Sequence, residues 1–251
     1  MNTFLVLAFL FFIGSQLGWE LEVLFRKFFS TSNPEHRWIN PGFCVGPYVP
    51  IYGFGLCILY LLAALGDATG MEDTAAGRAL LFLGMAVSMT VIEYIAGVLL
   101  LRFAKLRLWD YSMRWGNLNG LICPLFSFFW AVLGAVYYFA VHPYILDALR
   151  WFASNLAFSF VIGFFFGVFT IDVAYSLHLV SRLRKFAEEN DVIVRYENLK
   201  AHLHAVREQT KLRQRFFFPL RTVRPLQEHL QEAREALERI QVRRGWHKKE
   251  E

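Results

Sequence analysis

The sequence predicts an all-α membrane protein, a polytopic transmembrane helical bundle of five spans with a C-terminal cytoplasmic helical tail. Two observations predict this fold class. Stretches of about 20 mainly apolar residues recur along the chain, and a helix of this length crosses the core of a bilayer. In addition, only 19% of the 251 residues are charged, which is fewer than the roughly 25% of an average soluble domain.

The charges divide the chain into two regions. Residues 182–251 contain 17 Lys or Arg against 11 Asp or Glu, whereas residues 1–181 contain 9 against 10. The basic surplus therefore belongs to the C-terminal region, where we expect it to attract anionic lipid headgroups. We predict a transmembrane domain over 1–181 and a basic cytoplasmic tail over 182–251.

The five predicted spans follow one another with short polar connections. Their ranges are Phe4–Phe25, Cys44–Leu65, Ala79–Leu101, Leu121–Val141 and Phe152–Val180. The first span has no basic region before it and no small-residue cleavage site after it, so we expect it to be retained and not cleaved as a signal peptide.

Proline and glycine predict irregularities in two of these spans. The second begins with Pro47, Pro50 and Gly53, which predicts a helix that is bent or broken at its start. The fourth is predicted to end at the dipeptide His142-Pro143, because proline lacks the N–H that would continue a helix. The fifth is longer than a bilayer requires, so we expect it to tilt or to extend into the cytoplasm.

The cations of the loops predict the orientation of the bundle. The loops after the first and third spans carry Arg26, Lys27, Arg37, Arg102, Lys105, Arg107 and Arg114. The loops after the second and fourth spans carry only Arg78 and Arg150. Since cytoplasmic loops are enriched in Lys and Arg, we predict a plasma-membrane protein with its N-terminus outside and its C-terminus in the cytoplasm.

Acids and amides gather on the predicted cytoplasmic side of the spans. The candidate residues for ligand binding or for a polar cavity are Glu20, Glu93, Asp110, Asn117, Asn119 and Asp172. An ionisable side chain within an apolar span is energetically costly, so by default it indicates a functional site. No Lys, Arg, Asp or Glu lies in the outer half of a predicted span. The sequence therefore predicts a polar cavity in the inner half of the bundle.

The two acids of the first span and the acid of the third have different expected roles. Glu93 could hold the bundle together through a cation such as Arg107 or Arg114, or it could bind a cationic group or a proton. Glu22 is predicted to be an interfacial acid that pairs with Arg26. Glu20 lies deeper in the span and is therefore preferred as the functional acid.

For the remaining candidates, a structural role is an alternative to a role in ligand binding. Asn117 and Asn119 are predicted to cap the helix of the fourth span, or else to place its N-terminus at an anion site. Trp109 and Tyr111 are typical of an aromatic belt at the headgroup level. Asp172 lies on the face of the fifth span opposite a Gly163-x-x-x-Gly167 pair, which is predicted to contact another helix.

Motifs for several chemistries are missing from the sequence. Cys44, Cys57 and Cys123 have no paired spacing, which favours packing over a disulfide framework or a zinc site. No P-loop, metal-ligand set or nucleophile–base pair is present. We therefore expect no cofactor, no metal, no nucleic-acid partner and no enzymatic activity, with an enzyme acting on lipid headgroups as the least favoured alternative.

Short motifs between residues 10 and 145 carry a family resemblance. They are Gly18-Trp19-Glu20, Asn40-Pro41-Gly42-Phe43-Cys44-Val45-Gly46-Pro47, Pro50-Ile51-Tyr52-Gly53, Glu93-Tyr94 with Gly97, Trp109-Asp110-Tyr111-Ser112, and Asn117 with Gly120-Leu121-Ile122-Cys123. With these motifs the chain resembles the CmpB-like integral membrane proteins, a family of ABC-transporter permeases. Pro41, Leu121 and the Leu100-Leu101 pair stand where this family usually carries charges. The resemblance implies transport, and any ATPase would be a separate subunit.

The tail contains two short heptad seams. They are formed by Tyr196, Leu199, Leu203 and Val206, and by Leu226, Leu230, Ala233, Leu237 and Ile240. Such seams predict a helical hairpin, or a coiled coil with a second copy or a partner subunit. Two functions follow: a permease-like protein whose inner cavity binds or conducts a small polar or charged ligand, or a non-transporting interaction or regulatory protein that acts through its tail.

Overall fold

A computed structural model describes residues 2–30, 33, 35–189, 193–196 and 199–200 of the chain. The architecture is a bundle of long helices, and five helical segments are long and apolar enough to cross a membrane. This confirms the predicted fold class of a multi-pass helical membrane protein. The heptad seams fall largely on residues 201–251, which lie outside the described residues.

Six α-helices and one strand pair make up the described fold. The helices are α1 (Thr3–Phe28), α2 (Pro50–Thr69), α3 (Ala75–Ala104), α4 (Pro124–Val136), α5 (His142–Ser154) and α6 (Ser159–Glu189). A π-helical turn, Tyr137–Val141, joins α4 to α5, so that the two helices form one span, Pro124–Ser154. The strands β1 (Leu106–Arg107) and β2 (Val194–Arg195) pair in parallel, and short 3-10 turns lie at Met71–Asp73 and Leu156–Phe158.

We name the two ends of the bundle after their loops. The basic end carries residues 29–30, 33, 35–49 and 105–123, and the acidic end carries residues 70–74 and 155–158. The cation distribution predicts that the basic end faces the cytoplasm.

The start of the second span is irregular, as its prolines and glycines indicate. Residues 44–49 are not helical, and α2 begins at Pro50, which occupies the first turn. Proline suits this position because a first-turn N–H has no partner within the helix. The non-helical segment lies at the basic end and contributes backbone N–H groups to the site region described below.

The fourth span does not end at His142-Pro143, so that prediction was wrong. The π-turn widens the helix immediately before this dipeptide, and Pro143 then lies in the first turn of α5. A π-turn absorbs one extra residue, which allows the helix to continue past the proline. As a consequence Phe152 belongs to α5, where it is fully buried and stacks on Phe9 at 4.9 Å, and the fifth span begins at Ser159.

Glycines allow α1 and α2 to pack very closely. A Cβ atom at Gly18 would lie 2.2 Å from Cγ of Tyr52, and one at Gly53 would lie 2.2 Å from Oγ of Ser15. By contrast, a Cβ at Gly163 or Gly167 on α6 would meet nothing within 4 Å. The expected helix contact of that second pair is therefore not made within the described part of the chain.

Candidate functional site

Glu93 is a buried acid held by two uncharged donors. Its side chain lies in the middle of the bundle with 4% of its surface exposed. Oε1 accepts a hydrogen bond from the hydroxyl of Tyr111 at 3.0 Å, and Oε2 accepts one from Nε1 of Trp130 at 2.9 Å. No Lys or Arg of the described residues forms an ion pair with it. Of the two alternatives for Glu93, the pairing with a cation such as Arg107 or Arg114 is therefore not made, and Arg107 pairs with Asp110 instead.

Tyr111 reaches Glu93 from the loop between α3 and α4. Its backbone N–H donates to the carbonyl of Gly120 at 2.8 Å, and its ring stacks on Phe126 at 4.3 Å. Burial, together with the adjacent Glu93 carboxylate, raises the pKa of the Tyr111 hydroxyl, so this group remains a hydrogen-bond donor. Tyr111 thus points inward, and the prediction that it belongs to an aromatic belt was wrong.

A second acid, Glu22, joins this group from α1. Its carboxylate accepts a hydrogen bond from the hydroxyl of Tyr52 at 2.8 Å and pairs with Arg26 at 3.0 Å, as the spacing of four residues predicts. The ring of Tyr52 lies 5.3 Å from that of Trp130, and Glu22 acts electrostatically on Glu93. We call the set Glu22, Tyr52, Glu93, Tyr111 and Trp130 the acid cluster.

Glu20, the acid that the sequence favoured, is not part of the acid cluster. It is exposed on α1, and its carboxylate forms no hydrogen bond or ion pair with any of the described residues. A signal for Glu22 is nevertheless present in the sequence. Gly14 and Gly18 mark the face of α1 that packs on α2, and Glu22 continues the same spacing of four residues.

Asp110 organises the loop between α3 and α4 and lies apart from the acid cluster. It pairs with Arg107 at 2.8 Å and with Arg195 of β2 at 3.1 Å, and it accepts a hydrogen bond from the backbone N–H of Ser112. Burial alone would raise the pKa of Asp110, but the hydrogen bonds from Ser112 and Arg107 outweigh it and lower this pKa. Asp110 is therefore a charged structural anchor.

The two candidate asparagines shape a turn and do not cap a helix. Oδ1 of Asn117 accepts from the N–H of Gly120 at 2.9 Å, and Nδ2 of Asn119 donates to the hydroxyl of Tyr94 at 3.0 Å. Asn119 and Gly120 both have left-handed backbone conformations, with φ of 56° and 69°. This conformation reverses the chain, so α4 begins only at Pro124 and the predicted cap was wrong.

Asp172 fastens the segment before α2 to α6. Its oxygens accept hydrogen bonds from the backbone N–H groups of Val45 at 3.0 Å and Gly46 at 2.7 Å, from the hydroxyl of Tyr48, and from Oγ of Ser176 at 3.0 Å. These donors belong to the protein itself and satisfy both oxygens. Asp172 is thus held in a structural contact at the basic end.

Lys200 is a buried cation that the sequence pattern did not single out. Its side chain is 3% exposed, and Nζ donates to the carbonyls of Asn40 at 2.8 Å and Gly42 at 2.6 Å. Asn40 in turn accepts a hydrogen bond from Nε1 of Trp19 at 2.7 Å. Burial, and secondarily the nearby Arg26, lowers the pKa of Lys200. In the sequence this residue looks like any cation of a basic tail, so only the fold reveals it.

A family model described as "Putative ABC-transporter type IV" matches residues 9–177. The chain belongs to this family. The match confirms the resemblance, and together with the five spans it indicates a membrane transport-related protein. Neither a curated protein nor a solved structure matches the chain.

The fold of this ABC-transporter-type protein brings its separate motifs together. Tyr52, Glu93 and Tyr111 come from three different motifs and meet in the acid cluster, while Trp19 and Asn40 come from two others and bond to each other. In the part of the chain that the structure describes, no three His, Cys, Asp or Glu residues are grouped so as to hold a metal ion. The acid cluster is therefore the candidate site, and its chemistry is that of carboxylates with uncharged donors.

Proposed function

We propose that this protein is a permease whose acid cluster binds a proton or a small cation at Glu93 during transport. The observation that carries the proposal is that, among the described residues, no cation pairs with the Glu93 carboxylate. Hydrogen bonds from Tyr111 and Trp130 satisfy its oxygens, but neither donor is charged. An ionised carboxylate in an apolar interior is costly unless a cation accompanies it, so this acid favours a proton or a cation as its partner.

The surroundings of Glu93 strengthen this preference. Glu22 is the other acid of the cluster, and its ion-pair partner is Arg26. Among the described residues Arg26 pairs with Glu22 and not with Glu93, and Lys200, whose charge also interacts with Glu22, donates its hydrogen bonds to two backbone carbonyls. Ionisation of both acids therefore adds a negative charge at Glu93 that has no ion-pair partner in this part of the chain. The hydroxyl of Tyr52 and the indole of Trp130 connect the two acids without adding charge. A cationic ligand would be attracted to this group, and an anion would be repelled.

Transport assays in proteoliposomes test the proposal. Purified protein is reconstituted, a membrane potential is imposed, and uptake is followed for protons with an internal pH-sensitive dye and for sodium and methylammonium by tracer. We expect uptake of at least one of these cations by the wild type and a loss of at least about tenfold in Glu93→Gln.

Glu20→Gln is the matched control, because it makes the same chemical change at an exposed acid. We expect this variant to transport like the wild type. The proposal fails if none of the three cations is taken up, or if a folded Glu93→Gln protein transports as fast as the Glu20→Gln control.

A second candidate function, regulation through the tail, is favoured by how the tail begins. The N–H of Val194 donates to the carbonyl of Lys105 at 3.1 Å, β2 pairs with β1, and Lys200 is buried against the segment before α2. The tail is thus connected to the basic end of the bundle. Truncation after Lys200 keeps these contacts and removes most residues of the heptad seams. If the truncated protein takes up cations as the wild type does but no longer supports the function of the protein in cells, regulation would be favoured over transport as the main role.

A further inference from the structure

A second polar group lies at the acidic end of the bundle, where the π-turn meets α5. His142 is 8% exposed, and its Nδ1 lies 2.7 Å from the hydroxyl oxygen of Tyr137. Its other ring nitrogen, Nε2, is buried and has no hydrogen-bond partner among the described residues. Buried polar atoms are normally paired, and π-turns occur frequently at functional sites. Both observations indicate that this histidine does more than pack.

Groups from two other elements face this histidine. The ring of Tyr60 on α2 lies 6.3 Å from the imidazole, and the carboxylates of Asp67 and Glu72 act on it electrostatically. Glu72 is hydrogen-bonded to the hydroxyl of Tyr138, on which Arg78 also acts electrostatically, while Oε1 of Glu72 is buried and has no partner in the described ranges. The same region therefore contains two buried atoms without a hydrogen-bond partner among the described residues, Nε2 of this histidine, which can gain a proton, and the carboxylate oxygen Oε1 of Glu72.

We propose that His142, supported by Tyr137 and Glu72, is a second proton-binding site of this protein. Protonation of the neutral ring gives an imidazolium, which the carboxylates of Asp67 and Glu72 favour and which burial opposes. A proton suits this site better than an alkali or alkaline-earth cation does, because imidazole is a poor ligand for those ions. For a transition metal, no three His, Cys, Asp or Glu of the described residues are grouped so as to hold the ion. Histidine also titrates in the physiological pH range and is a frequent member of proton relays in membrane proteins.

The position of His142 relative to the acid cluster suits a proton path that connects the two sites during transport. Trp130 of the cluster and Tyr137 are seven residues apart on one face of the fourth span, a rise of about 10 Å. Between them Met85 packs near Gly134, and Met89 packs near Gly55. Both methionines are buried, and on α3 Met89 lies four residues and Met85 eight residues before Glu93. An apolar barrier thus separates the two polar sites, as expected for a gated proton path.

This role rests on the proposed function, whereas proton binding at His142 does not. Binding is tested by magnetic resonance on protein labelled with ¹⁵N-histidine in nanodiscs, with the His142 signal assigned by its loss in His142→Gln. We expect the ring to titrate between about pH 5 and pH 8. In Glu72→Gln we expect its midpoint to fall by at least about half a pH unit, because a carboxylate that favours the imidazolium is removed.

Asp73→Asn is the matched control, because Asp73 neighbours Glu72 in the same turn and is exposed. This variant is expected to leave the midpoint unchanged. The site is refuted if His142 does not titrate in this range, or if both variants shift its midpoint equally.

Proton uptake in the proteoliposome assay separates the two proposals. We expect Tyr137→Phe, which removes a single hydroxyl, and His142→Gln to reduce proton uptake at least about fivefold. If Glu93→Gln abolishes uptake while both of these variants transport normally, the proton path through His142 is wrong and the permease proposal stands. If His142 titrates as expected but the wild type transports no cation, the permease proposal is wrong and the proton site stands.

Discussion

Glu93 shows that a buried acid has two separate requirements, which are hydrogen bonds for its oxygens and a counter-charge for its ionised form. The fold meets the first requirement fully with Tyr111 and Trp130. Among the described residues it does not meet the second with a cation. Because the hydrogen bonds are satisfied, the unmet requirement concerns charge alone, and this is the physical basis for assigning a cation or a proton to the site.

A double-mutant cycle between Glu93→Gln and Tyr111→Phe measures this contact. Tyr111→Phe removes one donor from a buried carboxylate, so we expect a loss of about 1–2 kcal/mol of stability in the wild type. We expect a smaller loss in the Glu93→Gln background and a coupling of about 1 kcal/mol, measured by thermal unfolding in one detergent. Additive effects of the two substitutions would mean that Tyr111 and Glu93 do not interact.

At the scale of elements, the close approach of α1 and α2 positions the acid cluster. Gly18→Ala places a methyl group against the ring of Tyr52, which carries the hydrogen bond to Glu22. We expect this change to cost about 1–3 kcal/mol of stability because the helices cannot separate without disturbing that bond. Gly163→Ala is the control, and since nothing lies within 4 Å of that position it should be neutral or slightly stabilising. Equal stability of the two variants in thermal unfolding would contradict the described packing.

Cys44 reports on the contact between Asp172 and the segment before α2. Burial, and secondarily Asp172, raises the pKa of the Cys44 thiol to about 12, so its reactive thiolate is scarce at neutral pH. Asp172→Asn removes the negative charge that raises this pKa and weakens the bonds to Val45 and Gly46. With Cys57 and Cys123 replaced by alanine, we expect maleimide to label Cys44 at least about tenfold faster at pH 8.

Ser176→Ala is the control for this experiment, because it removes one donor and keeps the carboxylate. Its labelling rate should stay close to that of the parent. A rate for Asp172→Asn that equals the parent rate would show that Asp172 does not hold this segment.

At the scale of the whole molecule, the recurring apolar stretches of about 20 residues were sufficient to predict the five spans, because a helix needs this length to cross the core of a bilayer. The end of the fourth span was missed because a π-turn, which leaves no clear sequence signal, accommodates Pro143. Glu20 was preferred to Glu22 because depth along α1 was weighed above the helix face marked by Gly14 and Gly18, and the structure leaves the exposed Glu20 outside the acid cluster. Lys200 was missed because its burial depends on contacts with residues about 160 positions earlier in the sequence.

The orientation predicted from the loop cations applies to the whole molecule and can be tested by labelling cells. In a cysteine-free background, Met113→Cys places a thiol at an exposed position of the basic end, and Asp73→Cys places one at the acidic end. A membrane-impermeant maleimide should label Asp73→Cys on intact cells and Met113→Cys only after permeabilisation. The opposite pattern would reverse the predicted topology.

Infrared spectroscopy of the Glu93 carboxyl group shows whether this buried acid holds a proton. In purified protein at neutral pH, in a buffer that contains no small cation besides the proton, we expect the carbonyl band of a protonated carboxyl group, which disappears in Glu93→Gln, persists in Glu20→Gln and is lost on raising the pH. If Glu93→Gln instead removes only carboxylate bands at neutral and mildly acidic pH, Glu93 is ionised beside a counter-charge supplied by the protein, and the assignment of a proton or cation site to the acid cluster is contradicted.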